Sequence, residues 1–225
     1  MVRRTKAEAE ATRHSLLDAA EHLFQERGVS RTSLNDIATA AGTTRGAIYW
    51  HFKDKADLFN AMLERATLPL ECGFPDQATP VEALEAPLEA LRAGMRHVLH
   101  QIATDERVRR VFEVLTHQVE YNTEMAAVRE RHLSTRQRYL ALTEAILVEA
   151  AGRTGLRLPV PLSTASLGLH IVMDGLKHNW LLDPSAFDLK AVGEHTMNTY
   201  LRGLGFSLGG APALRLQAPV HAMPT

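Results

Sequence analysis

The stretch that decides the fold is Thr32–Phe52, TSLNDIATAAGTTRGAIYWHF. Its first half has apolar residues with the i, i+3, i+4, i+7 spacing of one helix face, at Leu34, Ile37, Ala38 and Ala41. This spacing predicts a helix of about two turns, and Thr32 or Ser33 lies just ahead of it as an N-cap. Gly42 can adopt the left-handed conformation that ends such a helix.

A second short helix follows the glycine, and Thr43 or Thr44 can cap its first N–H groups. Three of its residues are predicted to face inward, namely Ala47, Ile48 and Phe52. The other positions stay largely unburied, namely Arg45, Gly46, Tyr49, Trp50 and His51. Two helices joined by a short glycine-containing turn predict a helix-turn-helix, whose second helix lies in the major groove of DNA.

This stretch resembles the DNA-binding segment of the TetR family of bacterial transcriptional repressors, whose pattern ends in Tyr-x-His-Phe-x-x-Lys. Here that run extends from Tyr49 to Lys55. The agreement continues on both sides at Arg13, Leu17, Ala19, Ala20, Phe24, Gly28, Val29, Thr32 and Leu58. The opening basic residues and the block 45–52 resemble the AcrR-type branch, which regulates multidrug efflux pumps.

Composition and charge limit the class of protein. The 225 residues are 45% hydrophobic and 23% charged, and no apolar run approaches the roughly 20 residues of a membrane span. No signal peptide is visible, so we expect a cytoplasmic protein with no membrane association. The single cysteine, Cys72, excludes an internal disulfide. Net charge is −1, but residues 1–55 hold nine Lys/Arg and seven Asp/Glu, an excess suited to DNA contact.

Helical periodicity continues after the helix-turn-helix, and no alternating strand pattern is visible. The predicted fold is all-α, with a three-helix helix-turn-helix DNA-binding domain followed by a helical ligand-binding and dimerisation domain, about nine helices in all. We place a break between Pro69 and Pro80, where prolines and a glycine interrupt the periodicity. The predicted segments are a DNA-binding domain (1–55), a linking helix and loop (56–79), a ligand-binding and dimerisation domain (80–206) and a disordered tail (207–225).

The second domain is predicted to contain five helices. The expected helices are about 84–102, with Pro87 a possible kink, 106–115, 119–151, 162–182 and 189–204. The last two are apolar on more than one side, and little chain remains to cover them. We therefore predict a homodimer formed through the last two helices as a four-helix bundle.

The candidate DNA contacts are assigned by side-chain chemistry and by the resemblance. Arg45 can make a bidentate contact to guanine. The resemblance implies that Tyr49, His51 and Lys55 grip phosphates and set the register. Trp50 is either a groove contact or a partly buried wedge, and the basic N-terminal arm is either a DNA contact or a solvated end. The full candidate set is Arg3, Arg4, Thr32, Ser33, Thr43, Thr44, Arg45, Gly46, Ala47, Tyr49, Trp50, His51 and Lys55.

The second domain shows little sign of catalysis. No Gly-x-Ser-x-Gly elbow or His-Glu-x-x-His motif occurs. His170, Asp174 and His178 share one helical face and could take a metal, but polar groups hydrogen-bonded inside a bundle are the favoured interpretation. We predict no catalytic residues, no metal and no cofactor.

The resemblance also suggests a ligand site. Residues 113–121 are similar to a segment of AcrR-type regulators, and residues 174–176 and 180–182 are similar to their Asp-Gly-Leu and Trp-Leu-Leu blocks. Val119 replaces a cysteine and Phe112 stands where relatives can present a polar group, so ligand selectivity is not expected to carry over. The candidate pocket residues are Leu88, Met95, Leu99, Phe112, Leu115, Thr116, Tyr139, Leu142, Val172 and His178.

These features predict a dimeric repressor that binds a near-palindromic operator in double-stranded DNA when empty. A small hydrophobic or cationic aromatic ligand would release it. Alternatives are an activator, a regulator that responds to a metabolite such as an acyl-CoA, a partner-binding helical protein without DNA function, and an enzyme built on a helical domain.

Overall fold

The computed structural model describes residues 6–75 and 79–208, and these residues form nine α-helices and no strand. The helices are α1 (Lys6–Arg27), α2 (Leu34–Ala40), α3 (Arg45–His51), α4 (Lys55–Glu71), α5 (Pro87–Thr104), α6 (Glu106–Glu113), α7 (Ala126–Thr154), α8 (Leu162–Leu182) and α9 (Leu189–Gly203). The all-α prediction is confirmed. Two of the predicted contacts, Arg3 and Arg4, and residues 209–225 of the predicted tail lie outside the described residues. In the described part, no helix combines the length and apolar character that crossing a membrane requires.

The two short helices of the helix-turn-helix each begin at a side chain that caps their first backbone N–H groups. Ser33 caps α2 in a capping box, because its hydroxyl accepts from Asp36 N at 3.2 Å while the Asp36 carboxylate accepts from Ser33 N at 2.9 Å. The hydrogen bonds from Ser33 lower the pKa of Asp36. Thr44 caps α3 by accepting from Ala47 N at 3.2 Å. Between the two helices, Gly42 has a φ of +65°, which its lack of a Cβ permits.

The first hydrophobic core joins the helix-turn-helix to the rest of the chain. Ile48 and Phe52, both predicted core residues, are buried in it. The rings of Phe24 on α1 and Phe59 on α4 lie 5.7 Å apart at its centre. The same core also takes buried residues from the second half of the chain, namely Val111, Val114, Met125 and Val128. The predicted DNA-binding helices therefore pack directly on residues of the predicted second domain.

Two prolines have roles that differ from the prediction. Helix α4 continues through Pro69 and ends at Glu71, so the interruption starts later than predicted. Pro87 is the first residue of α5 and causes no kink. Proline suits this first position, since its missing N–H would have no partner there and its φ is already helical.

The segment between α6 and α7 was predicted wrongly. The expected helix from 119 begins only at Ala126, because Asn122 caps a short 3₁₀ turn at Thr123–Met125. Before it, a five-residue π-helical segment, Val114–Gln118, extends α6. Gln118 ends this segment, and its carbonyl accepts a 3.5 Å hydrogen bond from Val29 N in the DNA-binding half.

Helices α8 and α9 pack closely against each other. A Cβ at Gly168 would overlap the Tyr200 hydroxyl, which donates to the Ala165 carbonyl at 3.0 Å. Another part of the α8 surface remains uncovered in the isolated chain. It exposes three large apolar side chains, namely Leu167, Ile171 and Leu182.

Candidate DNA interface and ligand cavity

One face of α3 is directed outward. Ile48 is buried and fixes the inner face, while Arg45, Tyr49 and Trp50 are exposed. The Arg45 guanidinium lies 5.6 Å from the centre of the Tyr49 ring. This stacking positions an arginine at the start of the helix, where its donors remain available to a base edge.

Trp50 stands out from the domain. Its exposed fraction is 73%, so the interpretation of a partly buried wedge is wrong. Its ring meets His51 edge to face, with the ring centres 4.6 Å apart. An indole held in this way lies on the same exposed surface as Tyr49.

Thr32 is a correction to the predicted DNA contacts. Its exposed fraction is 1%, and its hydroxyl donates to the Gly28 carbonyl at 2.9 Å. The neighbouring Ser33 is exposed, but its hydroxyl donates to the Asp36 carboxylate at 2.6 Å and also serves as the cap of α2. Both hydroxyls therefore stabilise the turn before α2. The Thr32 hydroxyl is buried and cannot reach a phosphate.

Lys55 is a second correction. Its ammonium is buried and donates to the carbonyls of Val29 and Thr32 at 3.0 and 3.2 Å. The third partner is the Glu124 carboxylate, 3.1 Å away. An ammonium has three N–H donors, so these contacts occupy all of them. The structure thus makes Lys55 a link between α4, the turn after α1 and the segment before α7.

Replacing Lys55 by Met is therefore expected to lower the free energy of unfolding by about 2–3 kcal/mol, because two buried carbonyls and Glu124 lose their partner. Urea denaturation measures this change. The exposed neighbour variant Lys53→Met serves as the control and should stay within about 0.5 kcal/mol. An unchanged stability together with a salt-dependence slope of DNA binding lowered by about 0.9 would restore Lys55 as a phosphate contact.

A cavity of about 530 Å³ lies among α4, α5, α6, α7 and α8. This volume is in the range of small-molecule sites. Four of the predicted pocket residues line it, namely Met95, Phe112, Leu115 and Tyr139. The aromatic wall also includes Phe74, whose ring centre lies 5.2 Å from that of Tyr139.

The other six predicted pocket residues do not line this cavity. Leu88 lines a different depression, near the end of α9. Leu99 is buried against α9 beside Gly193. His178 faces the His117 ring, with the ring centres 4.8 Å apart. The remaining three are Thr116, Leu142 and Val172, each of which is the direct neighbour in sequence of a lining residue but does not itself line the cavity.

Three polar residues of α8 lie close together in the cavity wall. Asp174 lies 2.7 Å from the Lys177 ammonium and 3.0 Å from His170 Nε2. Burial alone would raise the pKa of Asp174, but the hydrogen bonds and charges of His170 and Lys177 outweigh it and hold that pKa well below its usual range. His178 does not join them. Across the described ranges, no three His, Cys, Asp or Glu side chains come together as a metal site.

Several cavity residues were missed from the sequence. They include Glu64, Thr67, Glu71, Phe74, Arg131, His132, Thr135, Arg136, Arg138 and Lys177. On α7, Arg131, Thr135 and Arg138 follow the i, i+4, i+7 spacing of a single face. That spacing is a usable signal, although a polar stripe on a helix normally indicates a solvated surface.

A buried carboxylate connects α1 to α4 and α6. Glu21 on α1 is 1% exposed and ion-pairs with Arg65, with Arg107 Nε at 3.6 Å and with Arg110 Nη1 at 3.7 Å. Asp18 also binds Arg65, at 2.8 Å. The DNA-binding helices and the cavity-forming helices therefore share one charged cluster.

Comparison with known proteins agrees with both halves of this architecture. Residues 16–62 match the sequence profile of bacterial regulatory proteins of the tetR family, and residues 86–206 match that of the C-terminal region of MAATS-type transcriptional repressors. The chain is 40% identical over 202 residues to the HTH-type transcriptional regulator AcrR of Shigella flexneri, covering 84% of this chain and 87% of that protein. It is 38% identical over 216 residues to the HTH-type transcriptional regulator TtgR of Pseudomonas putida, covering 96% and 100%.

A solved structure shows the same fold. NalD, the secondary repressor of the MexAB-OprM multidrug efflux pump in Pseudomonas aeruginosa, matches with a TM-score of 0.79 at 37% identity. The match covers 88% of this chain and 98% of NalD. The chain described here therefore belongs to the TetR family of bacterial transcriptional regulators.

Proposed function

We propose that this protein is a ligand-responsive repressor of a multidrug efflux pump operon, which it binds as a homodimer and releases when a hydrophobic compound enters the cavity. NalD is described as a repressor of such a pump, and the chain resembles it over nearly its whole length. The observation that carries the proposal is the pairing of an outward-facing α3 with a separate, partly apolar cavity.

The dimer is proposed to form through the last two helices. Leu167, Ile171 and Leu182 lie on one face of α8 and are exposed in the isolated chain. An apolar face of this kind is covered in stable assemblies. In a two-fold dimer, α8 and α9 of both protomers form a four-helix bundle and place the two α3 helices on one side, about 34–36 Å apart for successive major grooves.

Helix α4 is the proposed route from ligand to DNA. Its C-terminal half lines the cavity through Leu63, Leu70 and Glu71. Its first residue, Lys55, holds the turn before α2 through two carbonyls. A ligand that binds better to one position of α4 therefore shifts the spacing of the recognition helices. Moving that equilibrium from 1:99 to 99:1 requires about 5.5 kcal/mol of differential affinity.

The decisive test is selection of bound fragments from the source genome, followed by release assays with a panel of hydrophobic drugs. The proposal expects a near-palindromic site upstream of pump genes and release by at least one compound. Selection of no sequence above background, or release by none of the panel, would contradict it.

Arg45→Ala is expected to relax sequence preference at one base pair in each half-site. Because a bidentate arginine–guanine contact discriminates by about 1–3 kcal/mol, affinity for the selected operator should fall about 5- to 150-fold per contact. Binding to a library randomised at each operator position measures the change. Arg157→Ala, which removes an exposed arginine from the loop before α8, is the charge-matched control. A randomised-library profile identical to that of the parent would remove Arg45 from the base-reading role.

A further inference from the structure

The cavity has an apolar floor and a charged rim. Phe74, Met95, Phe112 and Met173 supply apolar surface from four different segments. The rim comes mainly from α7, which contributes Arg131, Arg136 and Arg138 to the lining, although the whole chain carries a net charge of −1. A site of this kind suits a ligand with an aromatic body and one charged end.

Most charged groups of the cavity already have a partner. Glu71 is held by Arg138 at 2.7 Å. Asp174 is held by Lys177 at 2.7 Å and by His170 at 3.0 Å. Two of the three carboxylates that line the cavity are thus neutralised within the protein. They are poor anchors for a cationic ligand, because binding one would require breaking an existing pair.

The groups left without a partner are mostly cations. Arg131 and Arg136 line the cavity, and neither forms an ion pair or side-chain hydrogen bond with any residue that the structure describes. His132, one helical turn before Arg136, lines the cavity beside them. Burial and the neighbouring cations Lys177 and Arg136 lower the pKa of His132, against the opposing effect of Asp174.

Arg131 and Arg136 have few negative charges near them in the cavity. Glu64 on α4 is the one lining carboxylate without an ion pair in the described ranges, and it is exposed at the edge of the cavity. Two unpaired guanidiniums therefore stand against a single exposed carboxylate. A guanidinium presents paired N–H donors that match the two oxygens of a carboxylate.

We propose that the cavity takes an acidic aromatic ligand, with its carboxylate or similar anion held by Arg131 and Arg136 and its ring body against Phe74 and Phe112. This inference rests on the proposed ligand-responsive function and specifies its ligand class. It also departs from the sequence prediction, which favoured a small hydrophobic or cationic aromatic compound. The exposed arginines of α7 further raise the local concentration of anions at the cavity mouth.

The test uses three compounds that share one ring system and differ in headgroup charge: biphenyl-4-carboxylate, biphenyl-4-carboxamide and 4-phenylbenzylammonium. Their affinities for the full-length protein are measured by calorimetry, alongside release of operator DNA. We expect the carboxylate to bind at least tenfold more tightly than the other two. The double variant Arg131→Gln, Arg136→Gln should lose that preference and leave amide binding unchanged. Arg129→Gln, on the same helix and exposed but not lining the cavity, is the matched control.

The outcomes separate the two proposals. Equal or tighter binding of the ammonium compound, failure of all three to bind, or a carboxylate preference that survives the double variant would overturn the headgroup assignment. Ligand-responsive repression would still stand in these cases, since it is tested separately by the selection of bound fragments and by release with the wider drug panel. The double variant should unfold like the parent, because neither arginine has an internal partner to lose.

Discussion

Replacing Ile171 by Glu is expected to convert the dimer into a monomer and to lower operator affinity by about 100-fold or more. Ile171 is 59% exposed in the isolated chain and lies one turn from Leu167 on the uncovered face of α8. A two-fold interface brings each residue into the contact twice, so one substitution places two charges in an apolar bundle. Losing the dimer removes the second recognition helix, whose tethering contributes a factor of about 10²–10⁴ to binding.

Sedimentation at micromolar protein and titration of labelled operator measure the two effects. Val148→Glu is the matched control, because Val148 is similarly exposed but lies on α7 and not on either of the two helices proposed to form the bundle. The Val148 variant should remain dimeric and bind the operator normally. A dimeric Ile171→Glu protein would show that the chains associate through another surface.

Features that depend on neighbouring residues could be predicted from the sequence. Ser33, Thr44 and Asp54 each cap a helix by accepting from a backbone N–H three residues ahead, so the signal and the partner lie in the same short stretch. Helix α8 begins and ends at the predicted residues, Leu162 and Leu182, because prolines before and after it interrupt the apolar pattern.

Features that depend on partners far away in the sequence could not be predicted. Thr32 and Lys55 carry the residue types of a phosphate contact, but their polar atoms are used within the protein, and the partner of Lys55 at Glu124 is 69 residues away in sequence. The arginines of α7 that line the cavity were not predicted from the sequence, for a related reason. Arg131 and Arg138 lie on a stripe that looks solvated, and only the placement of α4 and α8 turns that stripe into a cavity wall.

Glu21→Gln is expected to destabilise the protein by about 3 kcal/mol, the lower end of the range for breaking a buried ion pair. The Glu21 carboxylate is buried among Arg65, Arg107 and Arg110. Glutamine keeps the shape but loses the charge, and its amide directs N–H donors toward guanidiniums that have no acceptor to offer. We expect a loss at the lower end of that range because the Arg107 side chain is half exposed, so that water can solvate it when the carboxylate is lost.

Urea denaturation at a fixed protomer concentration measures this loss, since the stability of a dimer depends on concentration. Glu26→Gln is the control on the same helix, where the carboxylate is exposed and its nearest cation, Arg27, is 3.8 Å away. That variant should stay within about 0.5 kcal/mol of the parent. If both variants unfold at the same urea concentration as the parent, the Glu21 cluster does not stabilise the joint between the DNA-binding helices and the cavity. Because Glu21 bridges α1 to α4 and α6, a confirmed loss would show that the two halves of the chain are stabilised together.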